Sequence, residues 1–125
     1  MQILHLVEKS INKFDLLVIL GPTATGKTKL AVKLADKLNG EIISADSRQV
    51  YRGMDIGTGK DLAEYQLKNK EIPYHLIDIV DPLQEYNVFQ FQEDFQKIFA
   101  DIKVRHKLPI LCGGTGFYIK AILMD

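Results

Sequence analysis

Residues 20–28 read LGPTATGKT, and Gly21, Gly26, Lys27 and Thr28 satisfy the phosphate-loop pattern G-x-x-x-x-G-K-[ST]. This pattern constrains the fold because its physics needs a particular setting. Glycines let the backbone curl so that successive N–H groups point inward at phosphate oxygens. A helix that follows adds the positive end of its dipole. Lys27 supplies a compact cation, and the Thr28 hydroxyl can ligate a magnesium ion bridging the phosphates. The flanks comply. FDLLVIL (14–20), apolar except for Asp15, suits a buried parallel strand. Beyond the loop, Leu30, Leu34 and Leu38 with Ala31 and Ala35 make one helical face, which Asn39-Gly40 stops. The loop fixes the ligand group and leaves the reaction open.

The rest of the chain continues the alternation. EIISA (41–45) reads as the next strand and ends on Asp46, and a loop rich in glycine (53, 57, 59) follows. YHLIDIV (74–80) is a strand or extended segment closed by Asp81-Pro82. Val88, Phe91, Phe95, Ile98, Phe99 and Ile102 form the cleanest helical stripe, with Asn87 and Gln90 spaced as a capping box at its start. LPILC (108–112) is a third buried strand running into Gly113-Gly114-Thr115-Gly116, and FYIKAILMD (117–125) begins a helix. At the other end, Ile3, Val7, Ile11 and Phe14 recur at helical spacing. His5, Glu8 and Lys9 interrupt that apolar stretch and no small-residue cleavage site follows, so it does not read as a targeting signal. The expectation is a helical extension over 1–14 packed on a phosphate-loop core over 15–125.

Strands alternating with helices imply an α/β fold of the P-loop NTPase-like kind, a parallel sheet flanked by helices. Ligands of such sheets sit beyond the carboxyl ends of the strands. The phosphate loop, Asp46 and Gly113-Gly114 should therefore converge on one rim. With 125 residues the chain suffices for one small domain, and its zero formal net charge supplies no global field toward nucleic acid. Any such contact must be a local patch. Cys112 is the only cysteine, which excludes an intramolecular disulfide and a CxxC metal site and fits a reducing cytosol. No apolar run approaches the ~18 residues of a membrane span.

Many phosphate-loop proteins carry a strand that ends in an aspartate holding magnesium. PILCGG ends in glycines instead, leaving Asp46 and Asp78 as substitutes. Asp46 has the stronger claim, since its strand follows directly on the phosphate-loop helix. It could bind magnesium through water or accept a proton from a substrate; the structural alternative is a cap on the turn containing Ser47. Other features read as structure. KVRHK (103–107) places positive residues at a helix end, where they complement the dipole. His5, His75 and His106 lack metal-site spacing. Cys112 is a small buried strand residue, and the Phe91–Phe95–Phe99 stripe is core.

The stretch EIISADSRQVYRGMDIGTGK (41–60) resembles the tRNA dimethylallyltransferases, which prenylate an adenosine beside the anticodon. GPTATGKT, HLIDIVDP and PILCGGTGFYIKAIL extend the resemblance, in the family's order, from residue 16 to the last residue. It implies that the loop grips the diphosphate of dimethylallyl diphosphate, with magnesium, and that the exocyclic amine of a flipped-out adenine attacks the allylic carbon. By position, Gly21, Pro22, Thr23, Ala24, Thr25, Gly26, Lys27 and Thr28 match the diphosphate- or nucleotide-binding segment, with Thr28 as the magnesium-side hydroxyl. Lys27 would stabilise the leaving diphosphate and Asp46 matches the catalytic base. Asp46, Ser47, Arg48 and Gln49 match a segment that meets tRNA, as does Thr115. The Gln49 amide could read the adenine edge. Arg52, Thr58 and Lys60 are either phosphate contacts or solvated loop residues.

Family members are longer, with a helical insertion that clasps the anticodon stem-loop, so the resemblance implies the amino-terminal, donor-binding part of a cytoplasmic enzyme. Two other readings stay open. One is a prenyltransferase acting on free adenine nucleotides. The other is a phosphate-loop small-molecule kinase or a non-enzymatic phosphate-binding remnant.

Overall fold

The computed structural model describes residues 3–10, 13–21, 26–46, 49–53, 62–67, 70–113 and 122. Its elements run β1 (Ile3–Ser10), β2 (Lys13–Leu20), α1 (Lys27–Leu38), β3 (Gly40–Ser44), a 3-10 turn (Leu62–Tyr65), β4 (Gln66–Leu67), β5 (Lys70–Glu71), β6 (Tyr74–His75), α2 (Val88–Val104) and β7 (Leu108–Gly113). A five-stranded sheet in the order β1-β2-β7-β3-β6 carries the fold, and β4 and β5 form a separate small ladder. The β2–β7, β7–β3 and β3–β6 pairs are parallel, as expected of strands joined by helices.

Alternation along the parallel strands builds two apolar layers. Leu16 and Val18 of β2, Ile43 of β3 and Leu111 of β7 pack with Phe91, Phe95 and Ile102 of α2. Leu17, Ile19, Ile42, Ile110 and Cys112 face the other way and pack with Ala31, Val32 and Ala35 of α1. Both sheet faces are thus covered, which is why apolar residues occupy consecutive positions in these strands rather than alternate ones. The aromatic stripe of α2 is core, as its spacing predicts.

The helix boundaries follow local chemistry. Asn39 takes a left-handed conformation (φ 55°) that ends α1, its N–H returning to the Ala35 carbonyl. At the start of α2 the Asn87 side chain accepts from the Gln90 N–H at 2.9 Å, and the Gln90 side chain accepts from the Asn87 N–H at 2.9 Å. This is the expected capping box.

Two expectations change. The helical extension over 1–14 is instead strand β1, paired antiparallel to β2 from Ile3↔Leu20 to Ser10↔Lys13. So short a segment gains little as an isolated helix, whereas pairing satisfies its backbone groups and covers an otherwise open edge of β2. The sheet is consequently mixed, with one antiparallel pair. Of the 74–80 segment only Tyr74–His75 joins the sheet. Leu76 (φ 65°) and Asp78 (φ 58°) are left-handed and turn the chain away, and Val80 then bridges to Tyr51. The helix expected over 117–125 lies outside the described residues apart from Ile122, which packs against the α2-side layer.

Candidate active site

The carboxyl ends of β2, β7 and β3 meet at one rim through their backbones. The Gly21 N–H donates to the Gly113 carbonyl at 3.3 Å, and the Ala45 N–H to the Cys112 carbonyl at 2.9 Å. A methyl group on Gly113 would stand 3.0 Å from the Ala45 Cβ, so a glycine here lets β7 approach the residue that precedes Asp46. Gly26 closes the phosphate loop in a left-handed conformation (φ 78°) and caps α1. Lys27 is the first helical residue and is buried, with 6% of its surface exposed. Thr28 follows, half-buried.

Asp46 is partly buried, and its backbone is held through Ser44. Its N–H donates to the Ser44 hydroxyl at 3.3 Å, and that hydroxyl donates to the Gln49 side-chain oxygen at 3.3 Å. Ser44 and Gln49 are both buried. Gln49 therefore spends its carbonyl oxygen on holding this turn, a role its pairing potential alone did not reveal. The next residues are stitched to the segment after β6. The Asp78 N–H donates to the Gln49 carbonyl at 3.0 Å, Ile79 to Val50 at 2.8 Å, and Arg52 to Val80 at 2.8 Å. The Arg52 guanidinium also donates to the Asp78 carbonyl at 3.2 Å. Asp78 thus belongs to this scaffold.

Lys27 and Asp46 both act electrostatically on the Cys112 thiol, which places all three in one neighbourhood at the end of β7. Burial dominates there and pushes the thiol up to about 11; the Lys27 charge only partly offsets it. Cys112 stays protonated, in keeping with a packing role. Tyr65, a buried residue that carries no sequence signal, packs in the layer with Ala31, Val32 and Ala35 of α1; burial pushes its phenol up, and the Thr28 side chain only partly offsets this. Tyr65 sits in an aperiodic charged stretch, so no pattern marks it. Ser44 had a usable signal, a hydroxyl inside an apolar strand that must find partners.

The described residues contain no group of three His, Cys, Asp or Glu side chains able to hold a metal. Magnesium carried by a diphosphate does not need such a cage, because it keeps several waters and takes only one or two protein oxygens. The Thr28 hydroxyl and the Asp46 carboxylate suit that donor set. Pro22, Thr23, Ala24, Thr25, Ser47, Arg48, Thr58, Lys60 and Thr115 lie outside the described residues. Of the predicted site, Gly21, Gly26, Lys27, Thr28, Asp46 and Gln49 are brought to the same rim.

An ionic cluster lies at the opposite end of the sheet. Glu41, buried at the start of β3, accepts from His75 Nε2 at 2.8 Å and from both terminal nitrogens of Arg105, one at 2.9 Å. Lys107 Nζ stands 3.8 Å from the same carboxylate. KVRHK is thus a helix end, as expected, with an added structural duty. No helix among the described residues is long and apolar enough to cross a membrane.

Comparison with known proteins matches this architecture to one family. The IPP transferase family profile matches residues 49–125. A tRNA dimethylallyltransferase of Parabacteroides distasonis is 62% identical over 113 residues, covering 90% of this chain and 37% of that protein. One from Geotalea uraniireducens is 68% identical over 109 residues, covering 87% and 35%. The crystal structure of the tRNA isopentenylpyrophosphate transferase from Bacillus halodurans superposes with a TM-score of 0.72 at 49% identity, over 84% of this chain and 33% of that one. A eukaryotic dimethylallyltransferase acting on tRNA gives 0.76 at 39% identity, over 85% and 25%. The chain spans little more than a third of the length of these bacterial relatives. With matching blocks, matching fold and a match over well more than half its residues, the chain belongs to the IPP transferase family.

Proposed function

We propose that this chain is the donor-binding part of a tRNA dimethylallyltransferase, which moves a dimethylallyl group from its diphosphate to the exocyclic amine of an adenosine 3′ of the anticodon. The observation that carries the reading is the meeting of a buried Lys27, at the head of the phosphate-loop helix, with a braced Asp46 on one rim. Close relatives named for this reaction support it.

The chemistry accounts for both residues. As the allylic C–O bond breaks, its electron pair leaves on the diphosphate, and Lys27 with the loop N–H groups would stabilise that charge. Magnesium held at Thr28 would add charge neutralisation to the leaving diphosphate. The adenine amine is a weak nucleophile because its lone pair is delocalised into the ring. A carboxylate at Asp46 takes the proton as the new N–C bond forms. Asp46, Ser47, Arg48, Gln49 and Thr115 form the acceptor side, and the anticodon stem-loop is the RNA partner. The lone, protonated Cys112 supports a cytoplasmic setting.

Calorimetric titration of the 125-residue chain with dimethylallyl diphosphate and magnesium, against ATP, tests the reading. Tighter binding of the prenyl donor is expected. Preference for ATP would replace the proposal with a kinase-like one.

A further inference from the structure

α2 buries one face and shows the other. Phe91, Phe95 and Ile102 are buried in the sheet-side layer. Phe89, Glu93, Gln96, Ala100 and Val104 are all exposed. They recur at steps of three or four residues, which sets them in one outward stripe along the helix. Its two ends are apolar: Phe89 is 64% exposed and Val104 75%. Either alone would be ordinary on a surface. Together they bracket a small residue, Ala100, and a charge pattern that reverses along the helix.

The reversal is sharp. Residues 81–96 carry Asp81, Glu85, Glu93 and Asp94 and no lysine or arginine, while 97–107 carry Lys97, Lys103, Arg105 and Lys107 against Asp101. Within one copy the basic end suits the dipole of α2. Between two copies lying antiparallel, the acidic half of each helix meets the basic half of the other. A two-fold axis passing between Gln96 and Lys97 sets Phe89 of one copy against Val104 of the second, and Glu93 against Ala100. Lys97 of the second copy then stands about one turn from that Ala100. Ala100 adds little bulk at this level, so the helices can approach and the long Lys97 side chain can reach the Glu93 carboxylate. The two-fold makes each contact twice, as a self-complementary face requires. The formal net charge of zero raises no overall repulsion between copies.

We infer that the outer face of α2 docks a second copy of this chain, antiparallel, through Phe89–Val104 and Glu93–Lys97 contacts. α1 packs on the other face of the sheet, so the pairing leaves it and its loop uncovered. The test is sedimentation velocity of the 125-residue chain from about 10 µM to about 1 mM, because one helix face per copy makes a small interface of the weak class. The parent should pass from monomer to dimer across that range. Glu93→Lys and Lys97→Glu each set like charges across the two-fold and should each weaken self-association roughly tenfold to a hundredfold. Mixed in equal amounts, the two variants should associate about as well as the parent, since each supplies the charge the other now lacks. Both positions are exposed, and recovery on mixing would also show that neither variant is misfolded. A parent that stays monomeric at the highest concentration would overturn the inference, as would a dimer indifferent to both substitutions. Loss in each variant without recovery on mixing would overturn the antiparallel pairing.

Discussion

Each rim residue has a separable task, and binding measurements can tell the tasks apart. Lys27 meets the donor, so Lys27→Met, which keeps the apolar stem, should weaken diphosphate binding on the order of tenfold to a hundredfold. Asp46 is assigned to the acceptor proton. Asp46→Asn should then leave donor affinity within about twofold, since a base contributes to the reaction and little to ground-state binding. A titration in which Asp46→Asn lost binding as severely as Lys27→Met would make Asp46 a magnesium ligand first. Gly26 answers to backbone rather than space. A methyl group there would meet nothing within 4 Å, yet φ 78° is costly for any residue with a Cβ. Gly26→Ala should lower stability by about 1 kcal/mol, read in a denaturant melt.

Among the elements, the two helices differ in how much their own sequence secures them. α2 carries its start signal locally, so Asn87→Ala, which removes the acceptor of the Gln90 N–H, should cost about 1 kcal/mol in a thermal melt. An unchanged melt would mean that packing of Phe91 and Phe95 alone fixes that end. α1 has no side-chain cap and begins on a left-handed glycine. β1 shows the opposite lesson. Ile3, Val7, Ile11 and Phe14 keep helical spacing, but Leu4 and Leu6 fit a strand as well. Nothing local decides between them; the edge of β2 does. The segment after β6 was likewise misjudged in extent, because left-handed Leu76 and Asp78 serve the backbone stitching to Gln49 and Val50.

Across the whole molecule, the two ends of the sheet divide function from cohesion. The carboxyl-end rim gathers phosphate-loop chemistry, while the opposite end is clamped by Glu41, which ties β3 to β6, to the end of α2 and to the approach to β7. Burial by itself raises the Glu41 pKa, but hydrogen bonds from Arg105 and His75 outweigh it and hold the carboxyl below its ordinary 4.5. Below that value the unfolded chain takes up a proton that the folded one resists. The clamp's stability is thus fully present above about pH 4.5 and lost as pH falls through the lower folded value. Glu41→Gln should cost about 3 kcal/mol at neutral pH, because the cations around it stay behind, and should flatten the acid limb of a pH–stability curve. An acid limb of equal steepness in both proteins would assign the dependence to other carboxylates. The helix stop at Asn39, the cap at Asn87 and the alternating order of buried strands were legible in the residues alone, since these depend on backbone preferences and apolar periods read within a few positions. So was the place of Asp46 after a strand end, and hence its rim. The three-dimensional arrangement was needed to make β1 a strand, to set Gln49 and Ser44 behind Asp46, to gather Arg105 and His75 on Glu41, and to pack Tyr65 against α1. Those contacts join segments far apart in the chain, and their energy comes from satisfying buried polar groups and open strand edges that exist only once the sheet has formed.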